Sequence, residues 1–91
     1  MAVVERDIEI INKLGLHARA AAKLVNLAGQ YTAVLKLHCN GKNANAKSIM
    51  AVMMLAAVKG AQVRMVGDGD DAEAALMALG ELIADRFGEP E

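Results

Sequence analysis

An α+β sandwich, one sheet with every helix on a single side, is the arrangement that the apolar pattern of this chain calls for. Three observations lead there. Short segments with apolar residues at alternate positions are interleaved with longer ones in which they recur every three to four, in the order β-α-β-β-α-β-α. Each strand has one apolar face and each long helix one apolar stripe, so a two-layer stack buries them all. Asn40-Gly41 lies between two strand segments and is a strong hairpin signal, which makes the middle pairing antiparallel.

The elements follow in order. Val4, Arg6, Ile8 and Ile10 alternate with Glu5, Asp7 and Glu9, giving a first strand with an acidic outer face. Asn12 to Gly15 reads as a loop. A helix follows from Ala18 to Ala28, striped by Leu24, Leu27 and Ala28 with Ala20 or Ala21, and Gly29 stops it. Tyr31 to Cys39 forms the second strand and a short third one runs to Ala46. A Met-rich second helix starts at Lys47-Ser48 and ends at Gly60. Ala61 to Val66 is the fourth strand, and Gly67 to Asp70 is a turn. The last helix runs from Asp71 to Phe87, burying Leu76, Leu79, Ile83 and Phe87, and Gly88 and Pro90 close it.

Length and composition set bounds. Ninety-one residues make one domain, residues 1–91, with a single core. An apolar fraction of 55% argues against disorder. The net charge of −1 gives no basic excess for nucleic acid, and Tyr31 and Phe87 are too far apart in sequence to suggest a base-stacking platform. Cys39 is alone, which excludes an internal disulfide and a Cys-rich zinc site. The N-terminus has no apolar stretch of signal-peptide length, and the longest apolar run, Ile49 to Val58, falls well short of the roughly 20 residues of a membrane span. The expectation is a soluble, reducing, cytoplasmic protein without membrane insertion.

The functional signal lies at the first helix. His17 falls at its start, Arg19 follows two residues on, and the first turn has no Asp or Glu. Helix N-termini expose unpaired N–H groups and favour negative charge by roughly 0.3–1 kcal/mol per group. The last helix obeys that rule with Asp70-Asp71-Ala72-Glu73; the first reverses it. The missing anion therefore comes from outside, most naturally as phosphate. A lone His near a helix start is more often a cap or a surface residue. Here Gly15 allows tight backbone geometry beside it, Arg19 can reach an anion on the ring, and the alanines that follow leave a flat surface open to a partner.

Other chemistries lack support. His38, the only other His, belongs to a different element, and no zinc spacing or carboxylate cluster is present, so no metal or cofactor is expected. Ser48, the only Ser, has no nucleophile-elbow context. Cys39 sits inside a strand, where a structural role is expected. Nucleophilic catalysis by the imidazole remains, with Arg19 and the helix N-terminus stabilising a bound phosphoryl group. No phosphate-binding glycine loop or magnesium-binding Asp pair is visible, so the donor should be another phosphoprotein.

Asn12-Lys13-Leu14-Gly15-Leu16-His17-Ala18-Arg19 closely resembles the active-site segment of the HPr family, the histidine phosphocarriers of the phosphoenolpyruvate-dependent phosphotransferase system. Lys47-Ser48-Ile49-Met50-Ala51-Val52-Met53 resembles the family's second signature, about thirty residues on. The likeness covers essentially the whole chain and fits proteobacterial HPr and NPr proteins. It implies an open-faced β-sandwich, a four-stranded antiparallel sheet under three helices. It implies that His17 takes phosphate on Nδ1 from phospho-enzyme I and passes it to an EIIA-type protein, with Arg19 stabilising the phosphate. It also implies one docking surface on the first two helices for both partners. Leu16, Ala22, Ile49, Met50 and Met53 fit such an apolar patch, with Lys23 and Lys47 as its rim; Val52 and Leu55 are expected in the core. Ala20 stands where many members have Pro, which predicts a looser first turn with intact chemistry.

Ser48 has two readings. Ser at a helix start is a common N-cap worth about 1 kcal/mol. In some members the matching Ser is a regulatory phosphorylation site for HPr kinase/phosphorylase, and phosphate there would charge the docking patch. The alternative functions are a regulatory binding module of the same fold controlled through Ser48, against which both His17 and Arg19 speak, and an acylphosphatase-like hydrolase, for which no motif exists. A carrier is modified each cycle and turns over no small molecule alone, and it must expose His17 to two partners, which favours a monomer. The choice between sugar uptake and a nitrogen-related regulatory branch stays open.

Overall fold

The computed structural model describes residues 3–91. The elements run β1 (Val3–Glu9), α1 (Ala18–Ala28), β2 (Val34–Cys39), β3 (Lys42–Asn45), α2 (Ile49–Met54), β4 (Gln62–Asp68) and α3 (Ala72–Ala84), followed by a 3-10 turn at Arg86–Gly88. The four strands form one antiparallel sheet in the order β1-β4-β2-β3. β1 lies against β4 from Val3↔Asp68 to Glu9↔Gln62, and β2 joins the other edge of β4 from Val34↔Asp68 to His38↔Arg64. All three helices cover one face, so the expected open-faced arrangement is the one that forms.

The alternation read in the sequence decides which side chains enter the core. Leu35, Leu37 and Cys39 of β2, with Val63 and Met65 of β4, point inward and are 4% exposed or less. They meet Ala20, Ala21, Leu24 and Ala28 of α1, Val52 and Leu55 at α2, and Leu76, Leu79 and Ile83 of α3. On the open face the acidic stripe of β1 is partly neutralised from β4. Arg64 Nε donates to Asp7 Oδ1 at 2.9 Å, and that guanidinium holds the Asp7 carboxyl below its ordinary range.

Four boundaries differ from expectation, each for a local reason. β2 begins at Val34 rather than Tyr31 because the Asp71 carboxylate accepts from the backbone N–H of Thr32 and Ala33, both at 2.8 Å, which pins that stretch outside the ladder. α2 ends at Met54 rather than Gly60. Ala56 turns into the left-handed region at φ 52°, while Asn40 Nδ2 and Lys42 Nζ donate to the freed carbonyls of Leu55 and Met54. β4 continues through Gly67 and Asp68, where a turn was expected, since Gly67 pairs with both Val4 and Leu35. α3 stops at Ala84, and two left-handed residues, Arg86 and Phe87 at φ 56° and 55°, turn the chain back. Phe87 is buried as expected, at 1% exposed, but from that turn rather than from the helix.

Candidate functional site

His17 is the N-cap of α1, with extended backbone (φ −71°, ψ 176°) and no acidic residue in the turn that follows. Two backbone contacts fix the loop before it. Leu16 N donates to Ala57 O at 2.9 Å. Gly15 adopts φ +67° and lies so close to the same segment that a Cβ would come within 2.5 Å of Ala57 O. Glycine is thus required here both by its dihedral and by its surroundings. Ala21 N closes the first turn onto His17 O at 2.8 Å.

The two ring nitrogens of His17 face different chemistry. Nδ1 accepts from Arg19 N at 3.3 Å, a long and therefore weak bond at the positive end of the helix. A nitrogen that accepts must carry a lone pair, so Nδ1 is unprotonated and the ring proton sits on Nε2. Nε2 donates to Glu89 Oε2. Glu89 lies beyond the last helix, and the sequence does not single it out. Its second oxygen, Oε1, accepts from Asn12 Nδ2 at 3.0 Å, and the same Nδ2 donates to Gly15 O at 2.8 Å. The hydrogen bonds from His17 and from Asn12 hold the Glu89 carboxyl below its ordinary range.

Asn12 is completely buried, and its Oδ1 has no hydrogen-bond partner among the described residues. An unpaired buried acceptor costs on the order of 1–3 kcal/mol. The orientation is retained because the amide N–H₂ group serves two acceptors at once, the loop carbonyl and the carboxylate behind His17. The tail itself is anchored at two further points: Lys23 Nζ donates to Phe87 O at 2.6 Å, and Lys13 N donates to Glu91 O at 3.0 Å.

The remaining expected site residues separate into groups. Arg19 is exposed beside His17, and its guanidinium has no hydrogen-bond or ion-pair partner among the described residues. Ser48 caps α2, its Oγ accepting from Ala51 N at 3.4 Å. Ile49, Met50 and Met53 are exposed apolar side chains at 40%, 69% and 42%. Ala22 is half-buried. One assignment is corrected. Leu16 is 6% exposed and belongs to the core, because its backbone bond to Ala57 turns the side chain inward. Lys23 Nζ donates to Phe87 O and Lys47 Nζ to Tyr31 O, both at 2.6 Å. Leu14, Met54 and Val58 are exposed apolar residues that the periodicity does not single out. Among the described residues no group of three or more His, Cys, Asp and Glu is placed to hold a metal ion, and no helix is long and apolar enough to cross a membrane. Cys39 is buried, and burial pushes its thiol up.

A family model described as the PTS HPr component phosphorylation site matches residues 4–85. The chain belongs to the HPr family. It is 55% identical over 89 residues to the phosphocarrier protein HPr of Cupriavidus necator, covering 98% of this chain and all of that one. A crystal structure of HPr-C-His from Thermoanaerobacter tengcongensis superposes with a TM-score of 0.92 at 43% identity, covering 97% of this chain and 99% of that one. A crystal structure of an HPr dimer from the same organism gives 0.77 at 45% identity, over 90% and 94%. Family membership makes the chain an HPr phosphocarrier of the phosphotransferase system.

Proposed function

We propose that His17 is the phosphorylated residue, taking a phosphoryl group on Nδ1 from phospho-enzyme I and handing it to an EIIA-type protein in the cytoplasm. The observation that carries this reading is the pair of environments at the ring. Nδ1 presents a lone pair at a helix N-terminus that has no acidic residue of its own. A phosphoryl group on Nδ1 would meet the first-turn N–H groups and the free Arg19 guanidinium, the donors suited to its developing charge. The apolar side chains of Ile49, Met50 and Met53, joined by Met54, offer both partners one adaptable docking surface. Ala22 lies at its margin. Phosphate on Ser48, placed by HPr kinase/phosphorylase where the organism has one, would put charge into that surface and weaken both contacts. The protein works as a monomer in this scheme, since both partners need His17 uncovered, and gel filtration with light scattering checks it.

The test is phosphotransfer in a defined mixture. The protein is incubated with phosphoenolpyruvate, magnesium and enzyme I, and the label is tested with acid and base. Enzyme I-dependent label on wild type, stable to base and lost in acid, and absent from His17→Ala, supports the carrier. No label on wild type, with an enzyme I active on another carrier, overturns it and favours the regulatory module acting through Ser48.

A further inference from the structure

The carboxylate of Glu89 stands behind the imidazole, on the side away from the helix N-terminus. Its placement is built from several elements. Asn12, wholly buried, reaches it from the loop after β1, Lys23 of α1 holds the preceding turn through Phe87 O, and two left-handed residues steer the chain across. The Glu89 side chain is 16% exposed and that of His17 28%, so their contact is shielded from water on most sides. Nothing in packing the core requires a carboxylate at this point, because Phe87, not Glu89, fills the apolar space.

We propose that Glu89 is a positioning residue for His17: it accepts a hydrogen bond from Nε2–H, holds the ring so that Nδ1 carries the lone pair, and offsets the positive charge that phosphorylation creates. The inference rests on His17 being the phosphoryl acceptor. In the transfer step the Nδ1 lone pair forms the new P–N bond while the donor's bond to phosphorus breaks and its electron pair stays with the donor atom. Nε2 keeps its proton, so no proton leaves His17, and the ring becomes a phosphoimidazolium. A carboxylate hydrogen-bonded to Nε2–H stabilises that cation more than it does the neutral ring, as the carboxylate does in a Ser-His-Asp triad. On the return step the same charge leaves with the phosphoryl group, and the neutral ring is restored in the same tautomer.

Glu89→Gln keeps the size of the side chain and removes its charge. It also sets an amide N–H₂ against Asn12 Nδ2 or exchanges the acceptor that faces His17. Glu89→Ala removes the contact outright. Wild type and both variants are compared in the enzyme I assay under single turnover, with the ring followed by nitrogen-15 NMR and the fold by amide spectra. The expected result is a low-field Nε2–H resonance in wild type that moves upfield in Glu89→Gln and is lost to exchange in Glu89→Ala. Both variants should transfer phosphate about tenfold more slowly, the low end for losing a hydrogen bond to a charged group. Wild-type rates in both variants overturn the inference and leave the carrier reading intact. Loss in Glu89→Ala alone, with Glu89→Gln at the wild-type rate, also overturns it, since packing rather than charge would then be at work. An unlabelled wild type overturns both readings together.

Discussion

Substituting Gly15 by alanine tests whether the loop before His17 is held as tightly as its geometry says. Two penalties add. The residue has φ +67°, and an L side chain in the left-handed region costs roughly 1–2 kcal/mol. Its Cβ would also lie 2.5 Å from Ala57 O and 2.9 Å from Val58 Cα, both backbone atoms that cannot rotate away. Overpacking of that kind costs on the order of 1–3 kcal/mol, so the total is about 2–5 kcal/mol. The fold supplies its own control. Gly41, in the β2–β3 hairpin, has φ +74° and nothing within 4 Å of where a Cβ would stand, so Gly41→Ala carries the dihedral penalty alone. The loss of unfolded-state freedom is the same in both and cancels in the comparison. Urea unfolding of the two variants, with unchanged slopes, gives the difference directly. Gly15→Ala should be the less stable by about 1–3 kcal/mol. A difference under about 0.5 kcal/mol, within the usual scatter of neutral changes, would refute the close approach to Ala57.

Two further outcomes follow. The Asp71 carboxyl is held below its ordinary range, first by the Thr32 backbone N–H and also by that of Ala33. A carboxyl depressed in the folded state adds stability above its unfolded pKa and loses it as pH falls through the folded one, so the loss begins below about pH 4. Asp71→Asn should therefore flatten the acid limb of the stability profile measured by urea unfolding; an unchanged acid limb contradicts the assignment. Met50 is 69% exposed, so Met50→Glu should leave the unfolding midpoint unaltered. It should nevertheless raise the carrier concentration needed for half-maximal phosphotransfer about tenfold, by placing a charge in an apolar contact. Unaltered transfer kinetics would remove α2 from the docking surface.

Much of this protein is legible from its residues because periodicity and turn chemistry agree. Leu35 and Leu37 alternate with Lys36, Asn40-Gly41 turns with φ of 54° and 74°, and β2 and β3 pair as that turn dictates. The absence of acidic residues from the first turn of α1, which carries the proposed anion site, is visible in the sequence itself. What stays hidden depends on contacts between distant segments. Lys23 and Lys47 read as free surface charges, yet each donates to a backbone carbonyl far away in the chain. Glu89 gives no signal, because its position depends on consecutive left-handed residues at Arg86 and Phe87, a conformation that no pattern at those residue types announces. Asn12 reads only as a loop residue, and its double donation emerges from the way the tail crosses the loop. The early end of α2 likewise follows from backbone bonds that claim the segment after it: Leu16 N donates to Ala57 O, and Gly60 N donates to Ile10 O.

The most direct measurement of the central claim is nitrogen-15 and phosphorus-31 NMR of the chain phosphorylated by enzyme I and phosphoenolpyruvate. A single phosphorus resonance coupled to Nδ1 of His17 is expected, with the proton still on Nε2. Phosphorus coupled to Nε2, or found on Ser48 or His38, would contradict it.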